Sequence, residues 1–483
     1  MESDDPLTDY HQGSIATTWA VSLDAIERKS TDATNVLRLW ACLDNKQFWH
    51  GLLEVAKSAD SEEQWPPWLF RMANDVTCFA DAMGLLLRYS MIQAQAEPSG
   101  SYAMHPVVHR WVLHLDSNEK NRDFVRLALV LVGHLVPGRE TKEYWILQQR
   151  ILPHAEQCSR WIQEDFLRSN ETATSDKAVI DSVHRLGVLY GDQGKFSEAE
   201  AMFNRALEGR EKALGRDHTS TLDTVNNLGL VYKDQGKLSE AEAMFNRALE
   251  GKEKALGRDH TSTLDTVNNL GLVYKDQGKL SKAKAIFNRA LEGREKALGR
   301  AHTSTLGTIN NLGLVYKDQG KLSEAEAMFN RALEGREKAL GRDHTSTLGT
   351  VNNLGIVYRG QGKLSEAEAM YNRALEGYEK ALGRDHTSTL DTVYNLGVLH
   401  KDQGKFEEAE TMFNRALEGF KSALGQSHQK TQTVTHDLQL LHSSQDTYPS
   451  RPVRIESASG TMFLKKLADK FRNNVQFRKH RKR

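Results

Sequence analysis

One 42-residue block recurs six times almost letter for letter, and no other feature constrains the chain as much. The copy starting at Leu228 reads LGLVYKDQGKLSEAEAMFNRALEGKEKALGRDHTSTLDTVNN; the others start at Leu186, Leu270, Leu312, Leu354 and Leu396. A fixed period of about 20–50 residues marks a solenoid or array. Such folds offer a long surface and rarely a catalytic pocket, so binding leads over catalysis before any motif is read.

Each unit reads as two helices. Leu222, Val225, Leu228, Gly229 and Tyr232 stand at helical spacing in the first. Gly236-Lys237 breaks it, and glycine there suits a left-handed C-terminal cap. Ser239 with Glu242 three residues on predicts a capping box opening the second helix. Ala241, Phe245, Ala248, Leu249 and Leu256 share one face of that helix, and Gly257 ends it. Gly229, Ala241 and Ala248 are small where helices must approach closely. Neither helix buries its apolar face alone, so neighbouring units must stack.

The letters Leu228, Gly229, Tyr232, Gly236, Ala241, Phe245 and Ala248 resemble the tetratricopeptide repeat. The usual unit has about 34 residues. The extension EKALG and connector RDHTST, with the Asn-Asn-Leu opening of the first helix, resemble the kinesin light chain type. The resemblance covers about Asp181 to Asp437.

Of 483 residues, 64 are Lys/Arg and 64 are Asp/Glu, a formal net charge of zero. Thr461–Arg483 nevertheless carries nine Lys/Arg against one Asp, so bulk charge argues against nucleic acid except at that tail. Cys42, Cys78 and Cys158 have no paired or metal-type spacing and read as buried free thiols of a reducing compartment. The acidic start MESDDPLTDYHQG lacks a signal-peptide apolar core, and no run of 18 apolar residues exists.

Residues 14–116 read as a separate unit holding six of the eight tryptophans. Helices are expected at Ser14–Arg28, Thr31–Leu43, Gln47–Lys57 and Thr77–Tyr89. A β-hairpin made by SMIQAQ and SYAMH across Glu97–Gly100 follows, then a helix Val107–Leu115. Helices plus one hairpin describe a winged-helix-like domain. SYAMHPVVHRW resembles the winged-helix segment of fungal NLR-type (STAND) proteins, where a Met-His pair sits over nucleotide phosphates. Met104 and His105 match that pair; Pro106 replaces the acidic third residue. WILQQRILPHAEQC (Trp145–Cys158) resembles the helical connector of the same proteins. The phosphate-cradling G-x-x-x-x-G-K-[ST] is missing, because Gly236-Lys237 runs on into Leu238-Ser239. The chain thus resembles the C-terminal half of an NLR, with no phosphate for His105 to touch, and is expected neither to bind nor to hydrolyse ATP or GTP.

Two ladders run through the repeats. His218, His260, His302, His344, His386 and His428 tempt a metal reading, but successive rungs lie about a helix diameter apart, some 10 Å. Ligands on one Zn²⁺ sit about 2 Å from the metal. Connector histidines that cap or pack are therefore expected. The second ladder is Asn226, Asn268, Asn310, Asn352 and then Tyr394, two residues before the Leu-Gly leucine, which in this repeat family faces the concave groove. Lys233, Lys275, Lys317, Arg359 and Lys401 stand nearby, with Asp234, Asp276, Asp318 and Asp402 beside them. Amides can pair with a peptide backbone and lysines with acidic side chains, so a peptide-binding groove on the surface is expected. The tetratricopeptide domains that grip C-terminal carboxylates use an Asn right after Leu-Gly. Here Leu230, Leu272, Leu314, Ile356 and Val398 stand there, which argues against a chaperone clamp.

The winged-helix unit shows only Arg88, His105, His109 and Arg110 toward DNA, too little for phosphate neutralisation, so a packing role is expected. In the tail, Phe463, Leu464, Leu467, Phe471 and Val475 share a helical face opposite basic residues, fit for acidic lipid, RNA or an import receptor. No catalytic constellation, cofactor motif or metal spacing emerges, so no enzyme is expected.

The reading is an all-α tetratricopeptide solenoid (173–441) behind a small winged-helix-like domain (14–116). A short N-terminus (1–13), a helical connector (117–172), a polar linker (442–460) and a basic tail (461–483) complete the chain. Its expected role is protein–protein interaction in NLR-like signalling, in the cytoplasm or, through the tail, the nucleus. The alternatives are a kinesin-light-chain-like cargo adaptor, against which residues 1–180 show no coiled-coil heptads, and the partner-sensing half of a split nucleotide switch.

Overall fold

The computed structural model of the chain describes residues 15–57, 65–96, 100–115, 118–138, 141, 144–163 and 176–446. The N-terminus, the terminal tail and most of the linker lie outside them. Met1–Asp437 form one compact unit; Leu438–Arg483 form a second, whose described part is the end of a helix.

The N-terminal region is mixed, not all-helical. Helices α1 (Ile15–Lys29) and α2 (Thr31–Ala41) lead into a three-stranded antiparallel sheet in which β1 (Phe48–Trp49) and β2 (Ile92–Ala94) flank β3 (Ser101–Met104). The hairpin of β2 (Ile92–Ala94) and β3 (Ser101–Met104) forms as expected, with Ile92 opposite Met104. The single helix expected over Gln47–Lys57 does not. Gln47 takes a left-handed φ of 54°, and Phe48–Trp49 form β1 against Tyr102 and Ser101 of β3. Only a four-residue helix, α3 (His50–Leu53), and a 3-10 turn follow. Consecutive buried aromatics suit a short strand gripped on both faces; Phe48 stacks on Trp40 with ring centroids 4.6 Å apart. Helix α4 (Pro67–Asn74) is not among the expected elements, although Pro67 is at the first helical position, where its missing N–H costs nothing. Helices α5 (Val76–Arg88) and α6 (Pro106–Leu113) complete the region.

Two connector helices, α7 (Asn118–Leu135) and α8 (Tyr144–Gln163), join this region to the repeats. One core runs without a break from Leu23 through Val130 and Ile151 to Leu186, Phe203 and Val231 of the first two repeats. At Gly133 of α7 a Cβ would lie 2.5 Å from the Ser182 Cβ of the first repeat helix, so the two backbones approach as closely as glycine allows. Trp161 Nε1 donates to the Cys42 carbonyl at 2.9 Å, which ties α8 back to the end of α2. Cys42 and Cys158 are buried thiols, while Cys78, expected buried, is half-buried. Burial pushes the Cys158 thiol pKa up strongly.

Six helical hairpins follow, starting with Lys177–Asp192 and Phe196–Leu214 and ending with Thr387–Asp402 and Phe406–Leu424; Gln429–Asp446 comes next. In the second repeat, Gly236 has φ +79°. The Lys237 N–H reaches the Tyr232 carbonyl at 2.8 Å and the Gly236 N–H the Lys233 carbonyl at 2.9 Å, the bond pair of a Schellman end. The predicted capping box is absent. Lys237 is the N-cap with no side-chain bond, and Ser239 lies inside the helix Leu238–Leu256. Glu242 reaches the next repeat instead, where Gln277 Nε2 donates to its carboxylate at 2.8 Å. That bond holds the Glu242 pKa below the usual range. The two helices of a hairpin touch through Gly229, where a Cβ would meet the Phe245 ring at 3.0 Å. Gly251 similarly lies against Leu222, at 2.5 Å. Burial of Phe245, Ala241, Leu270 and Val273 joins one repeat to the next.

Successive first helices pack against each other as well as against the second helix between them. They therefore line the inner side of the curved array. Curvature closes on itself within the first unit. His386 meets the carbonyl of Asp192 at 2.9 Å, and His428 that of Asp234 at 3.3 Å, each across 194 residues. The start of α8 makes the same kind of contact: Trp145 packs edge-on to His344 and Tyr144 bonds Thr345 at 3.1 Å. Successive superhelical turns thus touch, hairpin loop to connector.

Candidate functional site

Burial along the first helix of a repeat identifies what faces the inner side. In Thr219–Asp234, Leu222, Val225, Leu228 and Val231 are core, whereas Asp223, Asn227, Leu230 and Lys233/Asp234 keep partial exposure at spacings of four, three and three to four. That is one stripe of a helix. It recurs as Asp265, Asn269, Leu272 and Asp276, then as Gly307, Asn311, Leu314 and Asp318.

The expected asparagine ladder is one residue off this stripe. Asn226, Asn268 and Asn310 are buried, at 7–9% exposure, contrary to the expectation that they are surface groups. Their carboxamides join repeats. Asn269 Nδ2 donates to Asn226 Oδ1 at 3.3 Å, Asn311 to Asn268 at 3.1 Å, Asn353 to Asn310 at 3.4 Å and Asn395 to Asn352 at 3.2 Å. Thr308 also donates to Asn268 Oδ1, at 3.3 Å. In the first three Asn-Asn pairs the amide on the exposed stripe is the second, and the burial difference between adjacent helical positions separates the two. Asn352 is half-buried. Tyr394 donates its hydroxyl to Asp437 at 2.6 Å; burial and that carboxylate push its pKa up.

The cationic ladder lies beside the stripe and is largely self-neutralised. Lys233 pairs with Asp234 at 2.5 Å, Lys275 with Asp276 at 2.7 Å and Lys317 with Asp318 at 3.0 Å, all at 18–24% side-chain exposure. Arg359 crosses to Asp402 of the next repeat at 3.2 Å, and Lys401 is half-buried. A deeper set of cations, absent from the sequence analysis, ties together the two helices of each of the first three hairpins. Arg210 pairs with Asp181 at 2.6 Å, Lys252 with Asp223 at 2.7 Å, and Arg294 with Asp265. Their 42-residue spacing on facing helices was the available signal.

The histidine ladder caps helices. Nδ1 of His218, His260, His302, His344, His386 and His428 accepts the backbone N–H two residues on, at 3.1–3.2 Å. His105 does the same at 3.3 Å for the helix Pro106–Leu113, while Met104 is buried. Among the described residues no group of three or more His, Cys, Asp or Glu could hold a metal ion, and no helix is long and apolar enough to cross a membrane.

A family model described as tetratricopeptide repeat matches residues 178–254, 226–296, 304–380 and 347–422. A nucleotide-binding leucine-rich repeat (NLR)-like protein of Hyaloscypha variabilis is 32% identical over 218 residues, which are 44% of this chain and 19% of that protein. The match therefore spans about a fifth of the relative's length. Among solved structures, BtubC from P. vanneervenii covers 49% of this chain and 92% of its own, at 22% identity and TM-score 0.37. Nearly identical TPR-like repeats of a kinesin light chain type from Podosopora anserina cover 42% and 95%, at 23% identity and TM-score 0.33. The chain carries tetratricopeptide repeats over residues 178–296 and 304–422, and part of it is similar to a fungal NLR-like protein.

Proposed function

We propose that the chain is an interaction scaffold whose inner stripe receives an extended partner segment. The observation that carries this reading is the periodic stripe Asp/Gly–Asn–Leu–Asp, in register over the second to fourth repeats and partly exposed, where the positions flanking the Asp/Gly, Asn and Leu are core. Asn227, Asn269 and Asn311 offer amide groups to a backbone; Leu230, Leu272 and Leu314 offer apolar contact between them. No residue of this stripe supplies a nucleophile with an adjacent base, and the reading includes no catalysis, cofactor or nucleotide.

The N-terminal region acts as a winged-helix-like cap that covers the first repeat's apolar end, since the two share one core. NLR-like signalling is the favoured setting, motivated by the Met104-His105 segment and by the kind of relative that the chain matches. Cargo adaptation of the kinesin light chain type is the second setting. The basic tail would add acidic lipid, RNA or import-receptor contact.

The test uses the full chain as bait, because repeats and cap share a core. Wild type and a variant with Leu272→Asp and Leu314→Asp are compared by affinity capture and mass spectrometry. Partners captured by wild type and lost by the variant, at unchanged helicity, support the groove. Partners retained by both place binding elsewhere.

A further inference from the structure

Two positions recur every 42 residues and carry the inner charge of the array. The first helix supplies Asp181, Asp223, Asp265, Gly307, Gly349 and Asp391; the second supplies Arg210, Lys252, Arg294, Arg336, Tyr378 and Phe420. In the first three repeats they are ion-paired. In the fifth both charges are gone, and a Cβ on Gly349 would lie 3.1 Å from the Tyr378 hydroxyl. In the sixth, Asp391 faces Phe420 but takes Lys430 at 2.8 Å instead. The fourth repeat alone is unbalanced. Arg336 has glycine opposite, and no ion pair joins it to any described residue.

The guanidinium is nevertheless held as in its neighbours. Arg336 Nη1 donates to the Ser346 carbonyl at 2.9 Å and to Thr350 Oγ1 at 2.7 Å, as Arg294 Nη1 does to Ser304 at 2.9 Å and Thr308 at 2.6 Å. Nη2, which in Arg294 meets the Asp265 carboxylate, faces Gly307. A Cβ there would lie 3.4 Å from it, an ordinary contact. The aspartates at this position are about half exposed, at 50% and 53% for Asp223 and Asp265, so the space over Gly307 opens onto the inner surface. It lies on the stripe with Asn311 and Leu314. Desolvation lowers the Arg336 pKa to about 10, which leaves the group charged at neutral pH. A desolvated charge without a counter-ion is costly, and an anion relieves that cost.

We propose that Arg336, through Nη2 over Gly307, is a carboxylate site of the groove, where an acidic side chain of the bound segment takes the place that Asp265 has in the preceding repeat. This rests on the groove reading. It deepens that reading by fixing one acidic residue of the ligand at the fourth repeat. Carboxylate is favoured over phosphate because the same fork already binds a carboxylate in its neighbours.

The probe is acetate alone, titrated into the full chain at constant ionic strength against chloride, with the thermal midpoint as readout. Wild type, Gly307→Asp and Arg336→Gln are compared. Gly307→Asp copies the arrangement of Asp265 and removes a helix-interior glycine, so it folds. Acetate is expected to raise the wild-type midpoint saturably and to lose that increment in both variants, while Gly307→Asp starts from a higher midpoint in chloride. Equal increments in all three proteins overturn the site. A phosphate increment larger than that of acetate, lost in the variants, overturns the carboxylate assignment. Selection from a random peptide library separates this inference from the groove itself. Asp or Glu enriched by wild type and not by Gly307→Asp supports both. Peptides enriched without acidic preference keep the groove and remove Arg336 from it. No enrichment removes the groove, and the acetate result still judges the anion site.

Discussion

His386 Nε2 lies 2.9 Å from the main-chain carbonyl of Asp192, 194 residues earlier. His386 Nδ1 already accepts the Ser388 N–H at 3.1 Å, so a neutral ring carries its proton on Nε2 and donates it to that carbonyl. One side chain caps its own helix and fastens one superhelical turn to the next. The six connector histidines are equivalent in sequence but not in place. His218, His260 and His302 are exposed, His344 is buried, and His386 and His428 are half-buried.

His386→Ala should therefore cost more than His302→Ala. Both lose an N-cap, worth about 0.5–2 kcal/mol. Only His386→Ala also breaks an inter-turn bond, worth about 0.5–1.5 kcal/mol. Urea denaturation followed by circular dichroism measures both. Equal losses would mean that the inter-turn contact carries no stability.

The paired change Asn268→Ala and Asn310→Ala should destabilise the array, in contrast to the neutral outcome a surface location implies. The two accept from Asn311, Thr308 and Asn353 across repeat boundaries. Loss of roughly 1–3 kcal/mol in total is expected from buried neutral bonds. Asn269→Ala and Asn311→Ala, on the exposed stripe, should be milder toward stability and harsher toward ligand. Chemical denaturation of both pairs, with one binding titration each, gives the comparison.

These outcomes show where the sequence was legible. Period, helix limits and the Gly236 break could be read because each depends on residues within one repeat. Asn226 and Asn227 could not be told apart, since two adjacent polar residues both fit the edge of a helix stripe and only packing of the next repeat buries one. Glu242 fitted a local capping box, yet its partner Gln277 lies a repeat away. Strand β1 was read as helix because its pairing to Tyr102 and Ser101 is non-local. The Asp192–His386 contact depends on superhelical pitch, which is the sum of small rotations at every repeat interface.

Acid should weaken the junction between α8 and the loop after α2. His154 is fully buried, and desolvation lowers its pKa to about 4. Its neutral Nδ1 accepts the Asp44 N–H at 3.2 Å. A histidine with a depressed folded pKa binds fewer protons folded than unfolded between about pH 4 and 6.5, so stability rises with pH there. The contribution is fully present above about pH 6.5 and is lost as pH falls toward 4. It is on the order of 3 kcal/mol. His184, half-buried and lowered to about 3 by desolvation, titrates in the same sense, so His154→Gln should flatten part of the profile only. Denaturation midpoints at pH 7 and pH 5 check this. An unchanged pH slope in His154→Gln would place the acid sensitivity elsewhere.

Shortening the array from its C-terminal end should cost unequal amounts per repeat. A purely linear solenoid loses one nearest-neighbour interface for each repeat removed, which gives even steps. Here the later repeats also touch the first turn. Ending the chain after Leu424 removes the His428–Asp234 contact, and ending it after Leu382 also removes His386–Asp192. Ending it after Leu340 removes Thr345 from Tyr144, His344 from Trp145 and Ala381 from Gln149. The next cut, after Leu298, removes only a neighbour interface of the kind formed by Phe287 and Leu312. The denaturation midpoint should fall more steeply over the first three truncations than at the fourth. Even steps throughout would show that the turns touch without stabilising each other, and a midpoint unchanged over all four would contradict the stacked core itself.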